Sequence, residues 1–219
     1  MRITAFFILL AAITFTACDD DAVCLRGDGD VQEYELNVSD FNRISLSGPI
    51  DLVVKQGSTQ SVTVRAEAPM YAELEYKVSN KEFEIGYDNV RCFETNYGVE
   101  ILVTVPELKE ISVSGVSMIE SDGQLILDNL DINVSGSAEV ALEGEAETCD
   151  IEVSGTIEVY NFGFVNQKTT IDISGSADME IFTEDELDIK ISGSAVIEYM
   201  GTPTIDKNVS GSLDLIHIN

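Results

Sequence analysis

A serine-glycine step returns six times through the C-terminal half of this chain, always in the same local frame. "VSGSAEV" (134–140) is followed by "VSGTIEV", "ISGSADM", "ISGSAVI" and "VSGSLDL", and preceded by the degenerate "VSGVSMI". Counting each serine as zero, the copies start at Ser114, Ser135, Ser154, Ser174, Ser192 and Ser210, at intervals of 21, 19, 20, 18 and 18 residues. Position +1 is Gly115, Gly136, Gly155, Gly175, Gly193 and Gly211, and position −1 is Val or Ile throughout. Position −3 is isoleucine except for Lys207, and position +5 is always apolar. A second glycine column stands at +9, with Gly123, Gly144, Gly163 and Gly201; Thr183 interrupts it and Asn219 ends it. Glycine and then asparagine tolerate positive φ best, so +9 reads as a corner.

Between corners the apolar positions −3, −1, +3 and +5 alternate with polar ones, which is the period of a half-buried strand and not of a helix. A helical repeat would need 33 or more residues per unit. About 19 residues at roughly 3.3 Å each make a loop of roughly 60 Å, a suitable circumference for one coil of a solenoid whose coils stack about 4.8 Å apart. The expected fold is all-β: a right-handed, single-stranded parallel β-helix with coils of about 18–22 residues. A β-sandwich would leave the constant phase of both glycine columns without a reason. The N-terminal half is less regular. "FNRISLSGPIDLVVKQG" fits the frame from Ser47-Gly48, with Ile44 at −3, Leu46 at −1, Ile50 at +3 and Leu52 at +5. The 67 residues from Ser47 to Ser114 have the length of about three coils of 22, and segments such as "QSVTVRAEA" and "VEILVTVPEL" read as strands. The solenoid is therefore expected over 37–219, irregular over 37–110 and regular over 111–219, with 86–98 as a protruding loop.

The N-terminus reads as an address. Arg2, an apolar run from Ile3 to Ile13 and small residues before Cys18 have the layout of a signal peptide over 1–17. "FTAC" resembles a bacterial lipobox, with Phe15 in place of the usual leucine, which makes Cys18 the expected lipidation site. Residues 18–36 then form an acidic linker, and the "CDDD" that opens it resembles a surface-export signal of Bacteroidetes-type lipoproteins. Acyl chains would hold such a protein at the outer membrane without a transmembrane helix. An exported compartment permits disulfides, and Cys24 in the linker and Cys92 in the 86–98 loop are the candidate pair. Cys149 shares its alternation with Ile151 and Val153, so it should point inward as a small hydrophobe.

Together, "F..I.LSG.IDL.V.QG", "VPELKEISVSG" and the serial SGSA steps resemble the putative auto-transporter adhesin head GIN domain family over about residues 37–219. The resemblance implies a β-helical bacterial envelope protein with an adhesin-like role. The family's name implies a C-terminal translocator barrel; here the last coil runs to Asn219, so lipid anchoring and not self-transport is expected to place the chain at the membrane.

With 40 Asp and Glu against 12 Lys and Arg, a net charge of −28 argues against nucleic acid, whose phosphates need clustered cations. The single histidine, His217, leaves almost no basis for a His-dependent triad or zinc site, and the chain reads as a non-enzyme. The serine columns either contact glycans or satisfy backbone groups at a bend. The acidic columns, Glu139, Glu158 and Asp178 at +4 and Asp131, Asp150, Asp188 and Asp206 at −4, allow three readings: solvated like charge, calcium ligands, or a glycosidase-like carboxylate pair. Tyr160, Phe162 and Phe164 could cap a bulging coil as core, whereas Tyr87, Phe93 and Tyr97 are expected to be exposed in the 86–98 loop as a partner surface. The functional expectation is an adhesin-like binding or scaffold protein with a glycan or protein ligand. The alternative is a glycan-binding or polysaccharide-active β-helix that uses its acidic columns. The final "LDLIHIN" offers an open strand edge, hence a candidate for end-to-end self-association.

Overall fold

The structure, a computed structural model, describes residues 24–88, 90 and 92–219. The signal peptide and Cys18 lie outside these residues. The serine-glycine frame is the register of a parallel stack. Val113 pairs with Val134, Val134 with Val153, Val153 with Ile173, Ile173 with Ile191 and Ile191 with Val209. The isoleucines at −3 lie beside them, and Ile111, Ile132, Ile151, Ile171 and Ile189 are all buried. β-Branched residues suit a pleated surface covered by its own neighbours, and each such side chain taken out of water contributes roughly 1.5–3 kcal/mol. Cys149 is buried on the same inner face, and burial, followed by the nearby Asp150 and Asp131, pushes its thiol up to about 12.

Both glycine columns are structural, for different reasons. At +1, the polypeptide bends where successive coils touch backbone to backbone. A Cβ on Gly136 would lie 2.0 Å from the Gly115 carbonyl oxygen, on Gly155 1.8 Å from that of Gly136, and on Gly175 1.9 Å from that of Gly155. At +9, Gly123, Gly144 and Gly201 have φ of 91°, 130° and 95°, the left-handed corner expected, whereas Gly163 makes no such corner and lies inside the strand Thr156–Ile173. Thr183 breaks that column because it lies inside the strand Ser176–Ile191 and points into the core, where its hydroxyl meets that of Thr169 at 2.7 Å.

The N-terminal half departs from a simple series of coils. The pass made by Arg43–Ser47 and Asp51–Gln56 packs directly under the one that begins at Glu110, pairing Ile44 with Ile111 and Leu52 with Ile119. The residues between Ser47 and Ser114 are therefore not three coils stacked in order. They leave the stack through Ser61–Glu67, the short helix Ala68–Ala72 and the hairpin of Glu75–Ser79 with Glu82–Gly86. They then form a pass on the far side of the first, Glu82–Gly86 against Arg43–Ser47 and Glu100–Val105 against Asp51–Gln56, before crossing back. Asn80 and Lys81, at φ 51° and 64°, make the tight turn of the hairpin. Ser61–Glu67 runs antiparallel to both Val31–Leu36 and Glu100–Val105, so this end mixes strand directions. The helix has Pro69 in its first turn, where the missing N–H costs nothing, and Met70 is fully buried. No helix among the described residues is long and apolar enough to cross a membrane.

The contact at the +1 column separates two glycines of similar sequence appearance. Gly175→Ala is expected to lower the melting temperature by roughly 5–10 °C, since a rigid backbone carbonyl occupies the methyl's place. Gly163→Ala, whose Cβ would find Glu143 Cγ at a comfortable 3.5 Å, should melt within about 2 °C of the parent in circular-dichroism scans.

Candidate functional site

The outer surface of the solenoid is built from columns, because every outward position recurs one coil later. The first column of interest is the serines at zero. The Ser114 hydroxyl donates to the Leu46 carbonyl at 3.3 Å, Ser135 to Val113 at 3.4 Å, Ser174 to Val153 at 3.4 Å and Ser192 to Ile173 at 3.5 Å. These bonds are long, but they use the hydroxyl protons on the coil beneath, which is the backbone-satisfying role. With position −2, where Ser45, Ser112, Asn133, Glu152 and Asp172 follow one another, the serines flank an open groove of about 580 Å³ that runs along the stack.

The acidic columns also form as the register requires. Glu139 sits beside Glu158 and Glu158 beside Asp178, exposed or half-buried. Their oxygens do not gather into a metal cage. Among the described residues, one group of three donor atoms lies within 4.8 Å, that of Cys24, Cys92 and Glu94, and its two sulfurs are bonded to each other. In the −4 column Glu110, Asp131 and Asp150 are successive neighbours, and the Asp131 carboxyl is held above its ordinary range by partial burial first, then by Asp150, Glu110 and Glu152. The few cations are interleaved where they relieve such contacts. Arg43 stands between Glu82 at 3.9 Å and Glu110 at 4.0 Å, and Lys190 pairs with Asp172 one coil away.

The aromatic residues redistribute. Tyr87 turns inward, its ring edge-on to Phe93 at 5.0 Å and its hydroxyl donating to the Met70 carbonyl at 3.1 Å; burial raises its pKa. Phe93 is half-buried, so the 86–98 loop presents Tyr97, 64% exposed, and not three aromatics. The loop is closed against the N-terminal strap. Cys24 and Cys92 form a disulfide with a Cα–Cα distance of 4.5 Å, and Leu25–Arg26 pairs with Phe93–Glu94. Nearby lies a residue that the sequence pattern did not single out. The Glu67 carboxylate is buried, accepting the Gly29 N–H at 2.5 Å and the Thr95 hydroxyl, which ties strap and loop to the body. Of the 160–164 aromatics, Tyr160 points outward at 47% exposure, as the alternation from Val159 requires, and Phe162 is half-buried, whereas Phe164 turns into the core because a register shift between Asn161 and Val165 breaks the alternation. Asn161 fills the inward place and its side-chain oxygen accepts the Leu142 N–H at 2.8 Å.

Fold and surface together define a β-solenoid protein whose side chains are displayed in long axial columns around a closed aliphatic core. The chain belongs to the family described as putative auto-transporter adhesin, head GIN domain, whose family model matches residues 40–203. The fold is similar to the crystal structure of a putative adhesin from Bacteroides fragilis NCTC 9343, with a TM-score of 0.66 and 19% identity, covering 88% of this chain and 97% of that one. It is also similar to that of a putative lipid binding protein from Parabacteroides distasonis ATCC 8503, with a TM-score of 0.51 and 20% identity, covering 89% and 99%. At such identities the likeness is one of fold. No curated protein matches the chain. The family is thus described as adhesin-like, and the solved structures share its fold.

The strained −4 column yields a pH-dependent prediction. A carboxyl whose folded pKa is raised loses stability as pH climbs through that pKa and keeps it below the unfolded value. Asp131→Asn should therefore raise the melting temperature at pH 7 by roughly 1–3 °C, the range expected for removing a like-charge cross-strand contact. The gain should vanish below about pH 4, where the aspartate is protonated in the unfolded chain as well. A variant that melts lower at neutral pH would show that the column carries a stabilising cation instead.

Proposed function

We propose that this is a non-enzymatic surface lipoprotein of the outer membrane, anchored through Cys18, whose solenoid is a rigid scaffold that presents its columns to a binding partner. The observation that carries the reading is the family match over residues 40–203, joined to an N-terminus laid out as a lipobox. A repeated column suits a scaffold. Each coil offers nearly the same groups as the next, whereas catalysis needs one unique constellation of nucleophile, base and oxyanion donors. The high negative charge keeps such a surface solvated and discourages lateral association. The linker between Cys18 and Cys24 is short, and the Cys24–Cys92 bond transmits the anchor to the loop and core and not to a loose terminus.

Labelling with an alkyne fatty acid in cells that express the full chain tests the anchor. The parent should take the label and stay with the membrane, and Cys18→Ser should lose the label and the membrane association. Protease treatment of intact cells then tests the face. Removal of the solenoid epitope supports surface display, and complete protection, with cleavage only after lysis, would place the protein on the periplasmic side and end the surface reading.

A further inference from the structure

A second groove, of about 570 Å³, lies on the opposite side of the serine-glycine bend from the serine groove and is not built from identical coils. One axial column runs through it. Leu102 pairs with Val53, Val53 with Glu120 and Glu120 with Ala141, and Tyr160 takes the corresponding place on the next coil. Leu102, Val53 and Ala141 point outward yet are half-buried, which makes an apolar floor. Ala141 is the small residue in the place next to the large Tyr160, and Gly163 at the edge adds no side chain. The tyrosine ring is thus left 47% exposed beside a step in the surface, and not packed under a neighbour. Its hydroxyl is fixed by donation to Glu158 at 2.9 Å, an arrangement that also raises its pKa. Across the groove Arg65 is held by Glu100 at 2.6 Å and Glu33 at 3.6 Å. Acceptors rim the space: Glu120, Asp122 and Glu143 are exposed around it.

We propose that this groove is a saccharide subsite, which binds a neutral oligosaccharide with one sugar face on Tyr160 and sugar hydroxyls donating to the carboxylates. An exposed aromatic face takes the apolar C–H face of a pyranose, and ionised carboxylates are the strongest acceptors a hydroxyl can find. An apolar floor with a few convergent polar groups is the general build of a small-ligand site. Charge decides the class of glycan. In a chain of net charge −28, with Glu120 and Glu143 beside Asp122, which Lys55 pairs at 2.6 Å, and with Arg65 already partnered, uronate or sulfated chains are repelled and neutral ones are not. The inference rests on the binding-protein reading above and gives it a ligand class.

Binding of cellohexaose, xylohexaose and mannohexaose to the folded chain, followed by titration calorimetry at millimolar ligand, tests it. At least one should bind, while polygalacturonate and heparin should not. Tyr160→Ala should weaken the interaction about tenfold, and Gly163→Trp should abolish it by filling the groove. Gly163 is exposed and a Cβ there would meet nothing closer than Glu143 Cγ at 3.5 Å, so circular dichroism and melting should stay near the parent's. Failure of all three neutral hexamers, or binding that survives both substitutions, would overturn the subsite. Parent protein on beads that still adheres to cells in that case leaves the adhesin reading standing. Beads that do not adhere would remove both.

Discussion

The stack is governed by a close approach of backbone to backbone. At the serine-glycine bend, each coil rests on the carbonyl oxygen of the one before it, at a distance where no Cβ fits: it would lie 1.8–2.0 Å away from Gly115 through Gly211. That approach sets the vertical spacing, brings the bend N–H groups onto the carbonyls of the preceding coil, as in Ser137 to Gly115 at 2.8 Å and Ser176 to Gly155 at 2.9 Å, and holds the inner residues in one phase. The core follows from it. With every coil in register, Val or Ile at −1 and Ile at −3 stack on their own kind, so the same few shapes fill the interior repeatedly. The outer columns follow too, and with them the cost of stacking like charge, visible at Asp131.

The exceptions to the repeat are informative because the stack is so strict. Thr183 takes a glycine place and turns its hydroxyl to Thr169. Asn161 fills the last inward place before the strand bulges, and the irregularity that follows turns Phe164 inward. Gln56 stands where a third strand face begins, its amide donating to the Ile126 carbonyl at 2.9 Å and accepting the Ile126 N–H at 2.8 Å, in place of a backbone neighbour. Asn161 and Gln56 give backbone groups a side-chain partner, and Thr183 satisfies a buried hydroxyl with another, as buried polar groups require. They cluster away from the serine column, and the surface they shape is the one that differs from coil to coil.

At the other end of the molecule the chain abandons the repeat. The helix at Ala68–Ala72, the Asn80–Lys81 turn and the antiparallel strands close the end of the core, while the Cys24–Cys92 bond and the buried Glu67 fasten the strap that leads toward the N-terminus. Three unlike fastenings, covalent, hydrogen-bonded and packed, hold this end of the molecule together.

How much of this was legible beforehand depended on how local the physics was. The β-solenoid, its phase, the inward Cys149 and the left-handed corners at Gly123, Gly144 and Gly201 are written in the sequence, because strand alternation and the lack of a Cβ act within one coil, while Gly163, with the same residue in the same place, runs through a strand. The same alternation would put Phe164 on the outer face with Tyr160 and Phe162, but a bulge resets parity without leaving a mark in composition and turns it inward. The order of passes in the N-terminal half was not legible. A length of 67 residues is compatible with three coils, and only pairing energies decided that Ile44 should meet Ile111. Tyr87 looked like an exposed loop aromatic until the helix covered it, and Glu67 looked like any strand acid until the strap folded over it. The groove around Tyr160 was the least visible, since it gathers Leu102, Val53, Ala141 and Arg65 from four separate strands. A repeating sequence determines how coils stack, because that rests on neighbours of the same kind; which unlike residues share a surface is decided by the tertiary path that brings distant strands side by side.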